Sequence, residues 1–216
     1  MEYWSPQDAM KAYLHTLQLC KIHNYKDCNG GNSNLIEPKY FEFISALAAG
    51  KRARLMVEIT SDGITPLTIA LAVAAKQTGG RFVCILPEDC VEKNRAGLMG
   101  NDDDLEDMVE FVYGNPCKVI KQYVHIDFAV IDCKVNADHQ KLFKSMKLNP
   151  SGSIVVVNNL HHRRERISFP EVVKGRIGGV KSATLPIGQG MELTRIGSGG
   201  KRERRRYNRF HVTFEN

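Results

Sequence analysis

The chain has 216 residues, of which 43% are hydrophobic and 25% charged, and its formal net charge at pH 7 is +6. Length and composition are ordinary for one soluble globular domain, and a fold of this size buries roughly 70% of its unfolded surface. No apolar run approaches the roughly 20 residues that cross a bilayer, and the first residues are not a basic segment followed by an apolar one, so we expect neither a membrane anchor nor secretion.

The first third of the chain predicts two helices followed by a strand, a turn and a third helix. The first helix begins after Ser5, which is followed by proline, and residues 41–50 form the second. A strand then ends at Glu58, and the turn 60–63 leads into the alanine-rich helix 67–78. In such an arrangement the helix N-terminus offers unpaired N–H groups to a ligand.

Short apolar runs continue this pattern. Strands are predicted at 81–86, 109–113, 126–131 and 154–157, with a helix from about 89 to 98 between the first two. Runs that are apolar throughout are expected for strands covered on both faces. The alternation of helices and strands therefore predicts a parallel α/β sheet.

The last ordered part of the chain breaks the alternation. Residues 182–187 and 191–196 are strand-like and flank Gly188-Gln189-Gly190, whose glycines can adopt the positive φ of a tight reversal. We predict an antiparallel hairpin here. A mostly parallel sheet that closes in such a hairpin indicates a methyltransferase rather than a dinucleotide dehydrogenase.

The positive charge is concentrated near the end of the chain. Six lysine and arginine residues lie from Lys201 to Arg209, and without this segment the net charge is close to zero. We therefore predict one domain over residues 1–198, with the N-terminal helices of 1–50 covering its sheet, and a basic tail over 199–216. Such a tail is typical of nucleic-acid binding or nuclear import, and a solvated extension is the alternative.

The cysteines favour a reducing compartment. Three of the six lie in or beside apolar, strand-like runs, and none belongs to a Cys-x-x-Cys pair. Reduced thiols of a cytoplasmic or nuclear protein fit this distribution better than a disulfide framework or a zinc site does. Cys20, His23 and Cys28 could be imagined as a metal cluster, but a helix end that leads into a polar loop is the simpler interpretation.

Five segments resemble those of a known fold family. They are Val57-Glu58-Ile59 with the turn to Gly63, residues 109–115, 126–132 and 155–159, and Leu185 to Gly190. In order and spacing they resemble the class I methyltransferases, and among these the small O-methyltransferases of the catechol and caffeoyl-coenzyme A type. Residues 4–6 and 43–50 are more similar to a plant family catalogued only as a domain of unknown function with a methyltransferase-like fold.

The resemblance implies a Rossmann-like class I fold and S-adenosylmethionine as the cofactor. The fold is a mostly parallel seven-stranded sheet with an antiparallel C-terminal hairpin and helices on both faces. Glu58 matches the family's acidic residue at the end of the first strand, and Gly63 and Thr65 fall where the turn approaches the methionine portion. Thr60 stands where the family usually has a glycine, so the close backbone approach is altered there.

Two further positions match the family's contacts to the nucleoside. A carboxylate at the end of the second strand usually binds the ribose hydroxyls, and Glu88 lies one or two positions later. Starting the next helix, beside its positive end, is the alternative role for Glu88. Asn115 matches the position that faces adenine, where Asp is more familiar.

The family's metal positions are only partly kept. In the metal-dependent relatives an Asp after the fourth strand and an Asp-Asn pair after the fifth hold a divalent ion that orients and acidifies a hydroxyl. The matching residues are Asp132, Asn158 and Asn159, so a neutral amide replaces one carboxylate. Because ligand charge sets the affinity of oxygen sites, we expect a weakened or lost metal site.

Three residues at or beside these positions are candidate catalytic residues. Asp132 faces the acceptor, and Lys134 lies near the relatives' catalytic lysine, one residue closer to Asp132 than in the family. His161, just beyond the asparagine pair, is a candidate general base or added ligand. A surface lysine is the simpler interpretation of Lys134, and at most one of His161 and His162 can enter the pocket.

Two functions are consistent with the sequence. The first is an S-adenosylmethionine-dependent methyltransferase, O-directed and acting on a small molecule. The second is a non-catalytic descendant that binds RNA or a protein partner through its surface or its basic tail. The terminal hairpin also offers a strand edge at which a homodimer could form.

Overall fold

The computed structural model of the protein describes residues 4–22, 40–88, 103–163, 168–174 and 178–197. Its helices are α1 (Pro6–Ile22), α2 (Tyr40–Gly50), α3 (Pro66–Thr78), α4 (Asp103–Glu106), α5 (Pro116–Val119), α6 (His139–Ser145) and α7 (Phe169–Val173), with 3₁₀ turns at Ile120–Gln122 and Leu160–His162. Its strands are β1 (Leu55–Ile59), β2 (Arg81–Leu86), β3 (Val109–Tyr113), β4 (Val124–Ile126), β5 (Phe128–Asp132), β6 (Lys147–Leu148), β7 (Gly152–Asn158), β8 (Val180–Leu185) and β9 (Met191–Gly197).

Seven of these strands form one sheet in the order β3-β2-β1-β5-β7-β9-β8. The first five are parallel to one another, β9 is antiparallel to β7, and β8 is antiparallel to β9. This confirms the mostly parallel sheet with an antiparallel C-terminal hairpin. The strand order reverses at β1, which lies between β2 and β5, and ligands bind at such switch points in open α/β sheets.

The central strands are buried on both faces. Met56 of β1 belongs to an apolar cluster that includes residues of α1, α2 and α3. Val57, its neighbour in the chain, belongs to a second cluster with Leu142 of α6 and Phe169 of α7. Helices therefore cover both faces, as predicted, which explains the continuous apolar runs of these strands. Because side chains alternate along a strand, Glu58 lies on the same face as Met56, toward α2 and α3.

Helices α1 and α3 begin at side chains that cap them. The Ser5 hydroxyl accepts from the N–H of Asp8 at 3.3 Å, which confirms the predicted start of α1. At α3 the Thr65 hydroxyl accepts from the N–H of Thr68, and the Thr68 hydroxyl accepts from the N–H of Thr65. Such a cap contributes about 1 kcal/mol, so the N-terminus of α3 is fixed beyond the carboxyl end of β1.

One predicted strand is divided into two in the structure. The run 126–131 is divided between β4 and β5, and the buried Asp127 lies between them. Its Oδ2 accepts from the N–H groups of Arg54 at 2.9 Å and Leu55 at 3.1 Å, and its Oδ1 accepts from Asn149 Nδ2 at 2.7 Å. The carboxylate therefore holds the start of β1 in place, and β4 pairs instead with β6 in a separate two-stranded sheet.

The predicted C-terminal hairpin is confirmed. β8 and β9 are joined through a turn in which Gly188 and Gly190 have φ values of 58° and 84°. The predicted helix 89–98, the tail 199–216, and His23 and Cys28 of the imagined metal cluster lie outside the described residues. Among the helices that the structure describes, none is long and apolar enough to span a bilayer.

Candidate functional site

Three polar side chains meet where β1, β5 and β7 reach their carboxyl ends. Glu58 is the penultimate residue of β1, Asp132 ends β5 and Asn158 ends β7. Asp132 and Asn158 face each other in the register of β5 and β7. The exposed fractions of Glu58, Asp132 and Asn158 are 1%, 6% and 7%. The structure therefore brings residues predicted for the cofactor and for the acceptor to one edge of the sheet.

The Glu58 carboxylate is buried beside the first turn of α3. Cys84 Sγ donates to its Oε2 at 3.6 Å, and the Thr68 hydroxyl is a second donor. Within the described residues its other oxygen, Oε1, has no hydrogen-bond partner. Burial raises the pKa of Glu58 to about 7; the two donors oppose this shift, and the charge of Asp132 adds to it. An unpaired carboxylate oxygen in this position suits a ligand that brings N–H donors and positive charge.

Hydrogen bonds within the chain hold the turn between β1 and α3. Thr60 Oγ1 accepts from the N–H of Asp62 at 3.3 Å, and the N–H of Thr60 donates to the carbonyl of Ile85 at 3.3 Å. Gly63 has a φ of 78°, in the left-handed region that favours glycine. The hydroxyls of Thr60 and Thr65 thus stabilise the turn and the helix start, and Gly63 provides the corner between them.

Lys134 is paired with the same turn. Its Nζ lies 3.0 Å from Oδ2 of Asp62, and the two side chains are 34% and 46% exposed. A pair with this exposure contributes about 1 kcal/mol or less, because water screens it. The pair nevertheless joins the loop after β5 to the turn after β1, so it positions the two segments that border the cluster of Glu58 and Asp132.

The positions that match the family's metal ligands form a hydrogen-bond network. Asn159 Nδ2 and the N–H of Lys134 both donate to Asp132 Oδ1, each at 2.8 Å. Asn159 has φ 54° and ψ 44°, a left-handed conformation that Asn tolerates. Divalent ions such as Mg²⁺ bind through oxygen, and this network holds one carboxylate, one oxygen of which already accepts two N–H groups, so it fits such an ion less well than two carboxylates would. Among the described residues, no group of three His, Cys, Asp or Glu side chains is arranged to hold a metal ion.

Tyr40, which the sequence analysis missed, completes this edge. Asn158 Nδ2 donates to the Tyr40 hydroxyl oxygen at 2.6 Å, across 118 positions of the chain. Burial strongly raises the pKa of Tyr40; the Asn158 hydrogen bond opposes the shift, and the charges of Glu58 and Asp132 add to it. The hydroxyl is therefore protonated at neutral pH. Nothing in the sequence near Tyr40 distinguishes it from any aromatic residue at a helix start.

The remaining predicted residues are exposed. Glu88 lies two positions beyond the end of β2. Asn115 follows β3 and caps α5, with its Oδ1 accepting from the N–H of Cys117 at 2.9 Å. His161 lies in the 3₁₀ turn after β7, and its N–H donates to the carbonyl of Gln189 at 3.3 Å. In the part of the chain that the structure describes, none of these three side chains shares a hydrogen bond with the buried carboxylates.

The buried carboxylate of Glu192 supports the segment that follows β7. Glu192 Oε2 lies 3.3 Å from Arg163 Nη2, and Glu192 Oε1 accepts from the N–H of Phe169 at 3.0 Å. The side chains of Arg163 and Glu192 are 18% and 6% exposed. The sequence analysis did not single out Glu192, which is the only acidic residue of β9. The pair ties β9 to the loop that carries His161.

Several solved structures share this fold. A methyltransferase from Geobacter sulfurreducens has a TM-score of 0.56 at 21% identity, covering 86% of this chain and 88% of its own. An O-methyltransferase from Bacillus cereus in complex with SAH has a TM-score of 0.52 at 19% identity, and the match covers 86% of this chain and 90% of that chain. The O-methyltransferase TomG from Streptomyces achromogenes, involved in tomaymycin synthesis and in complex with SAM, has a TM-score of 0.53 at 16% identity. The match covers 91% of this chain and 99% of that chain. At these identities the similarity shows the Rossmann-like methyltransferase fold alone.

Sequence comparison adds the family. No curated protein matches the chain. The family described as "Protein of unknown function (DUF1442)" matches residues 1–214, which include every element of the sheet and its N-terminal helices. The chain therefore belongs to the DUF1442 family, whose fold in this member is that of the class I methyltransferases.

Proposed function

We propose that this protein is an S-adenosylmethionine-dependent methyltransferase that acts on a hydroxyl group of a small molecule. The observation that carries the proposal is the buried Glu58 carboxylate, whose Oε1 has no hydrogen-bond partner among the described residues. A buried polar atom without a partner costs about 1–3 kcal/mol, and more when it is charged. A bound ligand that supplies the missing donor accounts for keeping such a group.

The polar groups around β1 fit the parts of S-adenosylmethionine. We assign the ammonium to Glu58 and the methionine carboxylate to the N-terminus of α3, which follows Gly63 and attracts anions. The ribose hydroxyls are assigned to Glu88, and the adenine to Asn115, at the ends of the next two strands. The Bacillus cereus and Streptomyces achromogenes structures, which hold SAH and SAM on the same fold, support S-adenosylmethionine as the ligand.

The chain's own task in the reaction is alignment. When bound, S-adenosylmethionine supplies an electrophilic methyl group on its sulfonium. Aligning an acceptor with such a group provides most of the acceleration, with modest help from a base. The Lys134 ammonium is paired with Asp62, and an ammonium has no lone pair with which to accept a proton; the His161 side chain is exposed. The proton-transfer roles of Asp132, Lys134 and His161 therefore stay predictions.

Calorimetry on the purified 216-residue chain tests the proposal. Titration with S-adenosylmethionine or S-adenosylhomocysteine should release or absorb heat and should raise the melting temperature, because a ligand that binds only the folded state stabilises it. The absence of both heat and a thermal shift at millimolar ligand would exclude the methyltransferase function.

The same preparation tests the competing function. Binding of single-stranded RNA through the tail 199–216 should weaken steeply between low and high salt and should be lost when the tail is removed, because such binding depends on phosphate contacts. No binding at low salt would exclude it. The predicted homodimer concerns a different surface, the edge strand β8, and light scattering measures it directly.

A further inference from the structure

Asn158 and Tyr40 present unused hydrogen-bonding atoms on the acceptor side of the sheet edge. The amide nitrogen of Asn158 is occupied, because it donates to the Tyr40 hydroxyl oxygen at 2.6 Å. The amide oxygen, Oδ1, is buried and has no partner among the described residues. The Tyr40 hydroxyl accepts the amide N–H and still has its own hydrogen to donate. The pair therefore offers one acceptor and one donor side by side.

A hydroxyl group on a ligand complements both atoms. It can donate its hydrogen to Asn158 Oδ1 and accept the hydrogen of Tyr40 at the same time. An ether or a carbonyl would leave the buried Oδ1 unpaired, and a cation would face the Tyr40 O–H hydrogen. A neutral alcohol or phenol therefore fits the pair better than an ether, a carbonyl or a cation does.

The neighbouring network disfavours a divalent ion at the same place. Asp132 Oδ1 already accepts two N–H groups at 2.8 Å, one of them from Asn159 Nδ2. Asn159 therefore directs its nitrogen, and not its oxygen, at the only carboxylate of the set. Hard cations bind through oxygen, and each carboxylate lost lowers the affinity of such a site.

We propose that the pair of Tyr40 and Asn158 binds the hydroxyl of the methyl acceptor directly, in place of a metal ion. Asn158 accepts the acceptor's hydrogen, and Tyr40 fixes the orientation of the Asn158 amide while donating to the acceptor's oxygen. The role of this site in methyl transfer rests on the proposed function. The binding of a hydroxyl compound does not, because it needs no cofactor.

Protein-observed NMR tests the site with two probes, phenol and MgCl₂. Phenol should shift the side-chain amide signals of Asn158 saturably, and 10 mM MgCl₂ should not. Anisole, which keeps the ring but has no hydrogen to donate, should bind at least fivefold more weakly than phenol. Tyr40→Phe should weaken phenol binding at least fivefold, whereas Tyr13→Phe, an exposed tyrosine of α1, should leave it unchanged.

Four results would overturn the inference: a saturable Mg²⁺ shift at Asn158, no phenol shift there, anisole binding as tight as that of phenol, or equal phenol affinity in wild type and Tyr40→Phe. Asn158→Leu provides the same comparison if Tyr40→Phe fails to fold, and equal phenol affinity in it would count equally against the site. Binding of S-adenosylhomocysteine is measured separately on each variant. Its absence in the wild type overturns the proposed function while leaving the phenol result to decide the site.

Discussion

The side chains of Tyr40 and Asn158 are joined by a 2.6 Å hydrogen bond, although 118 positions separate them in the chain. Tyr40 is the first residue of α2 and Asn158 the last of β7. The N-terminal helices therefore do more than cover one face of the sheet, because α2 brings a polar group to the edge where the ligands are proposed to bind.

Replacing Glu58 by glutamine should weaken S-adenosylhomocysteine binding about 10- to 100-fold. The change keeps the size of the side chain but removes the charge, and a hydrogen bond to a charged group contributes about 1.5–3 kcal/mol. Calorimetry measures the effect, with Glu106→Gln as the control, since Glu106 is exposed on α4. Equal affinity of Glu58→Gln and wild type would remove Glu58 from the cofactor site.

The stability of the ligand-free protein should fall as pH rises toward neutrality. The pKa of Glu58 is about 7 in the folded state against an ordinary value of 4.5, so between these values only the folded state keeps the proton. The contribution of Glu58 to the free energy of unfolding should therefore be highest below pH 4.5. Above pH 7 it should be lower by up to about 3 kcal/mol.

Urea unfolding at a series of pH values, compared between wild type and Glu58→Gln, isolates this contribution from other titrating groups. The difference in free energy between the two proteins should change between pH 4.5 and 7 and be level outside that range. A difference that is independent of pH would show that the carboxylate is not held protonated by burial.

Replacing Asn158 by aspartate should create a magnesium site. The substitution restores the second carboxylate beside Asp132 and adds negative charge to an oxygen site, where ligand charge changes affinity over decades. Calorimetric titration with MgCl₂ should show affinity at least about tenfold above wild type. Gln122→Glu adds the same charge at an exposed position and should not bind the ion; if it did so equally well, net charge alone would be responsible.

Replacing Asp127 by alanine should lower the free energy of unfolding by about 3 kcal/mol. The buried carboxylate accepts hydrogen bonds from the N–H groups of Arg54 and Leu55 and from the side-chain amide of Asn149. These three donors would lose their acceptor in the variant. Urea unfolding measures the loss. Asp107→Ala, at an exposed position, should stay within about 0.5 kcal/mol of wild type, and a similar small change in Asp127→Ala would contradict the tethering role.

The double replacement of Lys134 and Asp62 should show weak coupling. The pair is partly exposed, so a cycle of Lys134→Met and Asp62→Asn should give an interaction energy of about 1 kcal/mol or less in urea unfolding. If the pair positions the turn after β1, each single change should also weaken S-adenosylhomocysteine binding. Unchanged affinity with lost methyl transfer in Lys134→Met would instead favour the predicted proton-transfer role.

Most elements of the fold could be predicted from local patterns in the sequence. The apolar runs of β1, β2, β3 and β7, the capped start of α1 and the glycines between β8 and β9 each depend on neighbouring residues, so periodicity and turn chemistry predict them. Asp127 shows where this fails. It interrupts an apolar run that resembles one strand, and only its partners at the start of β1 explain why the chain turns there.

The sequence alone determined the succession of helices and strands along the chain. It also determined that Glu58, Asp132 and Asn158 lie at one edge of the sheet, because parallel strands bring their carboxyl ends together there. Which polar atoms are used and which are left over was decided by the tertiary structure. Among the described residues, Glu58 Oε1 is left without a partner. The Tyr40–Asn158 hydrogen bond and the Lys134–Asp62 ion pair join distant parts of the chain. Such contacts depend on how helices pack on the sheet, so the spacing of residues in the sequence does not predict them.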